Sequence, residues 1–407
     1  MSGSRGVVVT GLGMVTPAGV GVAPTWQRVR SGVSTAGLDP ELKGLPVDFS
    51  CRVPHFDATA HLGHALTRTS DRHVQFALLA CEEAIGDARL VPADWEPCRV
   101  SVVIGSGMSG VGNFITQHLR FLDKGPRHVS PHLTSASGPS SAVGLITLRY
   151  GITGPAFSVS TACATGATAI AVAAGLLRAG VCDVALAGAA DAPVVPLLAS
   201  GFAQMRALSR RCDEPGRASR PFDRERDGFV LGEGAAVLVL ETEAHARARQ
   251  APARARLIGT AMTSDAYDPV RPDPEGRAAE TAIRRALDEA GAHAGEVDHV
   301  NSHGTSTVAN DAVEARLIRR VLHSPSVTAT KGALGHSLGA AAAIEAACTV
   351  LTVQSGIIPP TANLTEQNAG EEVDLVTGTA RRGQVSLALS HSFGFGGHNA
   401  VLAFGRV

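Results

Sequence analysis

Short apolar runs alternate with Ala-rich stretches of helical spacing along most of the chain. The runs rich in β-branched and small apolar residues predict buried strands at 6–12, 99–106, 157–162 and 183–189. Helical spacing of small and apolar residues predicts helices at 70–89 and 164–179. Strands and helices in alternation favour an α/β fold with a mostly parallel sheet.

The same alternation starts a second time after an Arg-rich connection. Residues 206–227 are polar and predict a loop, residues 234–241 predict a strand, and residues 244–257 mark a boundary between two units. We therefore expect two similar α/β halves, 1–250 and 251–407. The elements expected in the second half are a strand at 257–264, a helix at 276–291, a strand at 297–304, a helix at 311–323, and two strands around a glycine turn at 384–405.

Composition narrows the class of protein. The chain has 407 residues, is 44% hydrophobic and carries a formal net charge of -1, which predicts a large core and excludes a generally basic nucleic-acid binder. Its seven cysteines are scattered without CxxC spacing, so neither a disulfide framework nor a zinc site is expected. The N-terminus does not resemble a signal peptide, and no apolar window reaches a clean 20-residue span. We expect a soluble cytoplasmic protein.

A glycine motif between a predicted strand and a predicted helix suggests a dinucleotide site. Gly105, Gly107 and Gly110 match the spacing GxGxxG in RVSVVIGSGMSG. The motif lies about 100 residues into the chain rather than in the first βα unit. The acidic residue expected about 20 positions later would be Asp123, which falls in a turn instead of at a strand end. We therefore do not predict dinucleotide binding.

A cysteine lies where a predicted strand meets a predicted helix. Cys163 follows the strand at 157–162 and precedes the apolar stretch at 164–179. A thiol at a helix N-terminus feels the helix dipole and unpaired N–H groups, which lower its pKa and favour the reactive thiolate. The alternative is a buried and unreactive small side chain, which is the usual state of an isolated cysteine.

Further polar residues stand at turns in the second half. His303 ends a predicted strand in VNSHGTST, and no glutamate completes a zinc-binding HExxH motif there. Lys331 and His336 flank the glycine turn of TKGALGHSLGAA, and the loop SFGFGGHN adds free backbone N–H groups between two strands. A nucleophile, proton-handling groups and oxyanion donors are together the equipment for acyl transfer through a thioester.

The motifs TACATG, VNSHGTST, TKGALGHSLGAA and SFGFGGHN closely resemble those of the β-ketoacyl-acyl carrier protein synthases, the elongating condensing enzymes of fatty acid and polyketide synthesis. The resemblance extends over essentially the whole chain. It implies a thiolase fold, in which two α/β halves form a five-layered α-β-α-β-α arrangement, usually as a dimer. It implies acyl- and malonyl-loaded acyl carrier protein as the partner, and a decarboxylative reaction that needs neither cofactor nor metal.

The resemblance also implies roles for individual residues. Cys163 matches the nucleophile that accepts the acyl chain, and His303 and His336 match the pair that promotes malonyl decarboxylation and stabilises the enolate. Lys331 matches the lysine of the electrostatic network, for which we expect Glu314 to be the partner. The backbone N–H groups of Cys163 and Phe395 match the oxyanion hole, and Phe395 also matches the gating phenylalanine of the glycine loop.

The acyl pocket and the glycine loop contain two departures from the family pattern. His391 stands where the family usually has asparagine, which affects the hydrogen bonding of the loop. Met108 occupies the position that lines the acyl pocket, and we expect it to limit or shape the growing chain. Phe202 and Phe393 are the other residues expected to contact substrate.

Surface arginines supply candidates for binding an acidic carrier protein, because complementary charge favours docking. The candidates are Arg127, Arg206, Arg210 and Arg211. A solvated surface position is the alternative for each of them.

Two further classes were weighed against a complete ketosynthase. A non-catalytic chain-length-factor subunit would lack the active cysteine, whereas this chain has Cys163 together with His303, His336 and Lys331. A degradative thiolase would need a second cysteine near the C-terminal glycine loop, and no cysteine follows Cys348. The residues favour the enzyme. Departures such as His391 incline the expectation towards a polyketide rather than a fatty acid pathway, and homodimer and heterodimer stay open.

Overall fold

The computed structural model describes residues 6–407. Its strands are β1 Val7–Thr16, β2 Gly19–Val20, β3 Gly37–Leu38, β4 Phe49–Ser50, β5 Val100–Gly105, β6 Ala156–Phe157, β7 Val184–Asp191, β8 Gly234–Thr242, β9 Ala255–Ser264, β10 His299–Asn301, β11 Ser326–Thr328, β12 Ile357–Ile358, β13 Arg381–Arg382, β14 Leu387–Gly394 and β15 His398–Gly405. Its α-helices are α1 Val22–Ser31, α2 Ala58–Thr69, α3 Arg72–Asp87, α4 Val111–Lys124, α5 Leu133–Ser137, α6 Ser141–Tyr150, α7 Thr165–Arg178, α8 Pro196–Gln204, α9 Glu243–Ala248, α10 Arg277–Ala290, α11 Val308–Val321, α12 Lys331–Leu334 and α13 Gly339–Ser355.

Ten strands form one long sheet path in the order β11-β10-β14-β15-β9-β1-β8-β7-β5-β6, and β2 pairs with β1 beside it. Strands from the first part of the chain lie on one side of the β9–β1 junction, and strands from the second part lie on the other. The junction consists of only two residue pairs, Val8 with Arg256 and Val9 with Ala255. The sheet is therefore two five-stranded segments joined by a short contact.

Helices cover both faces of both segments, which gives five layers. Helices α7 and α13 lie in the middle and contact β7 and β8 on one side and β15 on the other. Helices α3 and α6 pack on the outer face of the first segment, and α10 and α11 pack on that of the second. Because both sheet faces are covered, β1 and β8 are buried at every position and lack polar alternation.

The middle layer brings backbones into close contact. Every residue of α13 from Gly339 to Val353 is buried, and most are small. A Cβ at Gly166 of α7 would lie 2.4 Å from the backbone nitrogen of Ala343 on α13, so only glycine allows this helix crossing. The crossing fixes the N-terminal turn of α7, where Cys163 lies, against the N-terminal half of α13.

Two sequence predictions about the sheet are wrong. The sheet is mixed rather than mostly parallel, because β1–β8, β7–β8, β14–β15 and β9–β15 pair antiparallel. The strand expected at 157–162 ends at Phe157, and the following residues leave the sheet to form the turn before Cys163. The predicted division at residues 250 and 251 falls in the connection between α9 and β9. No helix within residues 6–407 is long and apolar enough to cross a membrane.

Candidate active site

A strained turn presents Cys163 at the start of α7. Ala162 has a φ of 47°, a left-handed conformation that is uncommon for a residue with a side chain. Thr165 holds the turn, because its Oγ1 accepts the N–H of Thr161 at 2.9 Å and donates to the carbonyl of Ala162 at 2.7 Å. The Cys163 residue that this turn presents lines a cavity.

His336 contacts the cysteine directly. It lies in the short connection between α12 and α13, where its backbone N–H donates to the carbonyl of Val230 at 2.8 Å. Its Nε2 is 3.1 Å from Cys163 Sγ. The ring packs edge-on against Phe229, with the ring centroids 5.3 Å apart. This geometry allows a proton to pass between the thiol and the imidazole.

His303 completes a pair of histidines above the cysteine. It follows β10, and its ring centroid is 5.6 Å from that of His336, with an interplanar angle of 87°. The carboxylate of Glu314 on α11 accepts the backbone N–H groups of His303 at 2.8 Å and Gly304 at 2.9 Å. The loop that carries His303 is thus tied to a buried helix rather than left free.

Lys331 pairs with a different carboxylate from the one expected. Its Nζ lies 2.5 Å from Oε1 of Glu345 on α13, and it also donates to the carbonyl of His303 at 2.7 Å. Glu314 instead binds the His303 loop, so the prediction of a Lys331–Glu314 pair is wrong. The reason is packing, because α12 and α13 are consecutive helices that bury the two side chains together at 2% exposure each.

Burial decides the charges of the site. It raises the pKa of the Cys163 thiol to about 11, although the charge of Lys331 and the backbone N–H of Phe395 both lower it. The lowered pKa expected from the helix N-terminus is therefore wrong for the resting enzyme. Burial, together with the charge of Lys331, moves the pKa of both His303 and His336 well below the usual value, so both imidazoles are neutral near pH 7.

The glycine loop between β14 and β15 packs directly against the cysteine turn. The backbone N–H of Phe395 faces the Cys163 thiol and lowers its pKa. A Cβ at Gly394 would lie 2.9 Å from the carbonyl oxygen of Thr161 and 3.0 Å from the nitrogen of Cys163. The absence of a side chain at residue 394 is what lets the two N–H groups expected to form the oxyanion hole approach each other.

A cavity of about 320 Å³ opens onto these groups. Cys163, His303 and His336 lie in its wall together with Phe202, Phe393 and Phe395. Threonines and an asparagine in the same wall supply further polar atoms: Thr305, Thr307 and Asn310. The cavity thus combines an apolar wall with a few convergent polar groups, as expected of a ligand site.

Met108 is not part of the cavity wall. It is half-buried and packs against the apolar cluster that includes Leu338. Phe202 packs against the same cluster, and both Phe202 and Leu338 line the cavity.

The four candidate arginines for carrier-protein docking differ in their position relative to the cavity. Arg206 is exposed and lines the cavity mouth. Arg210 and Arg211 lie outside the cavity, where the backbone N–H of Arg210 bonds to Asp227 and the guanidinium of Arg211 bonds to the carbonyl of Glu225. Arg127 is exposed in the 3₁₀ turn after α4 and does not line the cavity either.

The glycine motif at 105–110 is already occupied by a protein carboxylate. Asp191, fully buried at the end of β7, accepts the N–H groups of Gly107 and Met108 at 2.9 Å and the hydroxyl of Ser106 at 2.6 Å. These are the groups that would bind a pyrophosphate, and an anionic ligand would meet a negative charge there. The structure agrees with the decision against dinucleotide binding.

Glu345 and Asp191 were missed from the sequence. A signal for Glu345 was present, because it is the one charged residue in the apolar run from Gly339 to Val353, and a lone charge in a buried helix needs a partner. Burial raises its pKa to about 7 in spite of Lys331. Nothing in the sequence indicated that Asp191 would hold the turn after β5.

Comparisons with known proteins agree with the fold and the site. The model of the beta-ketoacyl synthase N-terminal domain matches residues 4–246, and the model of the C-terminal domain matches residues 254–365. The 3-oxoacyl-acyl-carrier-protein synthase 2 of Synechocystis sp. is 41% identical over 98% of this chain and 97% of its own length. The protein of the same name from Rhizobium meliloti is 39% identical over 99% of each.

Solved structures point to the same class. The ishigamide ketosynthase/chain length factor matches with a TM-score of 0.93 and 32% identity, over 99% of this chain and 100% of that one. A type II polyketide synthase ketosynthase in complex with its acyl-carrier protein matches with a TM-score of 0.92, 31% identity and the same coverage. The fold is therefore the thiolase fold of the ketosynthases, which are acyltransferases. The chain belongs to the beta-ketoacyl synthase family.

Proposed function

We propose that this protein condenses a Cys163-bound acyl chain with malonyl-acyl carrier protein and releases β-ketoacyl-acyl carrier protein and CO₂. The observation that carries the proposal is the convergence of Cys163, His303 and His336 on one cavity, with Lys331 beside His303. The names of the curated relatives support the acyl carrier protein as the partner. No step of this reaction calls for a cofactor.

In the first half-reaction Cys163 attacks the thioester of an acyl carrier protein. The thiol is protonated at rest, since its pKa is about 11. We assign His336 Nε2, at 3.1 Å, as the group that takes the proton as the sulfur bonds to the carbonyl carbon. The N–H groups of Cys163 and Phe395 stabilise the oxyanion. His336 then passes the proton to the sulfur of the carrier, which leaves as a thiol.

In the second half-reaction malonyl-acyl carrier protein loses CO₂ at the same site. The C–C bond electrons of the departing carboxylate form an enolate. Neutral His303 and neutral His336, the latter in the tautomer that carries its proton on Nε2, donate hydrogen bonds to the enolate oxygen. Such bonds stabilise charge that exists only in the transition state and the intermediate. The enolate carbon then attacks the Cys163 thioester. The new C–C bond forms, the C–S bond breaks, and the sulfur leaves as a thiolate that takes one proton from solvent.

The reaction could serve either polyketide synthesis or fatty acid synthesis, and we propose polyketide synthesis. The curated relatives at 36–41% identity are 3-oxoacyl-acyl-carrier-protein synthases 2. The solved structures include a type II polyketide synthase ketosynthase at 31% identity and a ketosynthase/chain length factor at 32%. The polyketide role remains our proposal, with fatty acid elongation as the alternative. Incubation of the chain with saturated and with polyketonic acyl-carrier-protein substrates, followed by mass analysis of products, separates the two.

A dimer is part of the proposal. β6 ends the sheet at Ala156–Phe157, and no strand within residues 6–407 covers its outer edge. An uncovered edge strand is a template for pairing with another chain, and this one leads within six residues to Cys163. The partner at this edge is either a second copy of the chain or a related subunit.

We also propose that the protein is located in the cytoplasm.

The test is reconstitution with acyl- and malonyl-loaded acyl carrier protein. We expect one equivalent of β-ketoacyl-acyl carrier protein for each CO₂ released. Carrier-bound product without CO₂ release, or no product from any acyl donor, would overturn the condensation.

A further inference from the structure

His391 is buried beside the site, yet it takes no part in the reaction steps described above. It lies on β14 with no exposed surface, and its Nδ1 is 3.3 Å from Oε1 of Glu314. Its Nε2 has no hydrogen-bond partner.

Glu314 is the point at which His391 reaches the site. Both oxygens of its carboxylate are used: Oε1 accepts the N–H of His303 and Oε2 accepts that of Gly304. Asn310 Nδ2 lies 3.4 Å from Oε2. Within residues 6–407, His391 is the one basic side chain within 4.0 Å of this carboxylate. The nearby cation Lys331 forms its ion pair with Glu345 instead.

A second contact runs through the glycine loop. The His391 ring lies 5.5 Å from that of Phe393 with an interplanar angle of 36°, and Phe393 lies 6.1 Å from the His303 ring. Phe393 is part of the cavity wall. His391 therefore supports His303 from two directions, at its backbone through Glu314 and at its ring through Phe393.

We propose that His391 is a positioning residue for His303, acting through an N–H donated to Glu314. The inference rests on the proposed function, since it assigns the effect to the decarboxylation step. A mispositioned His303 loses its bond to the developing enolate, whereas acyl transfer depends on Cys163, His336 and the backbone N–H groups. Loss of the His391 donor should thus slow one half-reaction and spare the other.

Two substitutions distinguish the effect of the hydrogen-bond donor of His391 from the effect of its side-chain volume. His391→Leu keeps much of the volume and removes the donor, and His391→Asn restores a donor at the same position. His299→Leu is the matched control, because His299 is buried on the neighbouring strand β10, bonds to the carbonyl of Ser326 and does not touch Glu314. The full-length variants are compared in two assays, intact-mass acylation of Cys163 by acyl-acyl carrier protein and conversion of malonyl- to acetyl-acyl carrier protein.

We expect His391→Leu to lower kcat for decarboxylation about tenfold or more while KM and the acylation rate change less than about twofold. His391→Asn should recover decarboxylation to within about threefold of the wild type, and the His299→Leu control should keep the wild-type ratio of the two rates. Parallel loss of both rates in His391→Leu, or no recovery in His391→Asn, would overturn the positioning role. A wild-type chain that performs neither half-reaction would instead overturn the proposed function, and this inference with it.

Discussion

Lys331 Nζ lies 2.5 Å from Oε1 of Glu345, and both side chains are only 2% exposed. The same ammonium donates to the carbonyl of His303 and lies 3.3 Å from its Nδ1. A cation in this position opposes protonation of His303 and His336 and favours ionisation of Cys163. Next to burial, the Lys331 charge thus acts on the pKa of all three groups that we assign to the chemistry.

Removal of Lys331 alone should be costly for the fold. Lys331→Met leaves Glu345 buried without its partner, which should lower the free energy of unfolding by about 3–5 kcal/mol. The double variant Lys331→Met/Glu345→Met removes both charges and should lose clearly less. Urea denaturation measures both. Equal losses in the single and double variants would contradict a pair whose partners depend on each other.

The reactivity of Cys163 should follow its raised pKa. Because the pKa is about 11, the thiolate fraction rises about tenfold per pH unit between pH 7 and 9. The rate of iodoacetamide modification at Cys163, measured by peptide mass spectrometry, should rise equally steeply. Lys331→Met should slow it at each pH, because the lysine charge lowers this pKa. A plateau below pH 8 would mean that the resting cysteine is already a thiolate.

Gly394 should tolerate no side chain. In Gly394→Ala the new methyl group would press on the Thr161 carbonyl and the Cys163 nitrogen, and a displacement of about 1 Å can cost about 100-fold in rate. Steady-state condensation assays should show that loss. The control is Gly175→Ala on α7, where nothing lies within 4 Å of the added Cβ. Retained activity in Gly394→Ala would show that the loop can withdraw.

Arg206 is the docking candidate that the structure favours, because it is exposed at the cavity mouth. Arg206→Glu should raise KM for the acidic carrier protein several-fold with little change in kcat, and the effect should shrink as salt is added. Arg217→Glu is a matched control, since Arg217 is exposed and lies outside the cavity wall. Equal changes in both variants would indicate a general charge effect instead of a docking contact.

The sequence predicted the residues of the site better than their partners. Cys163, His303, His336 and Lys331 each stand at a turn within a motif that resembles the family's, so their convergence on one site could be expected from the sequence. The partner of Lys331 could not, because it depends on how α12 and α13 pack. Glu314 and Glu345 lie 17 and 14 residues from Lys331, and only the packed helices show which of them meets the lysine.

Helices, which depend on local sequence, were predicted more accurately than strand ends and strand directions, which depend on contacts between distant parts of the chain. Helices α7 and α10 begin and end within about two residues of the expected bounds, since their spacing is regular along the chain. The strand expected at 157–162 ends early because the nucleophile turn takes over its last residues. Strand direction was wrong because apolar runs buried on both faces look alike in parallel and antiparallel sheets.

The most direct test of the central claim is the intact mass of the protein after incubation with short acyl-acyl carrier proteins. We predict a gain equal to one acyl group in the wild type and in Cys98→Ala, which removes an exposed cysteine, and no gain in Cys163→Ala. The lengths that react fastest would also rank the preferred starters. A mass gain that persists in Cys163→Ala, or no gain with any acyl donor, would contradict the assignment of Cys163 as the nucleophile.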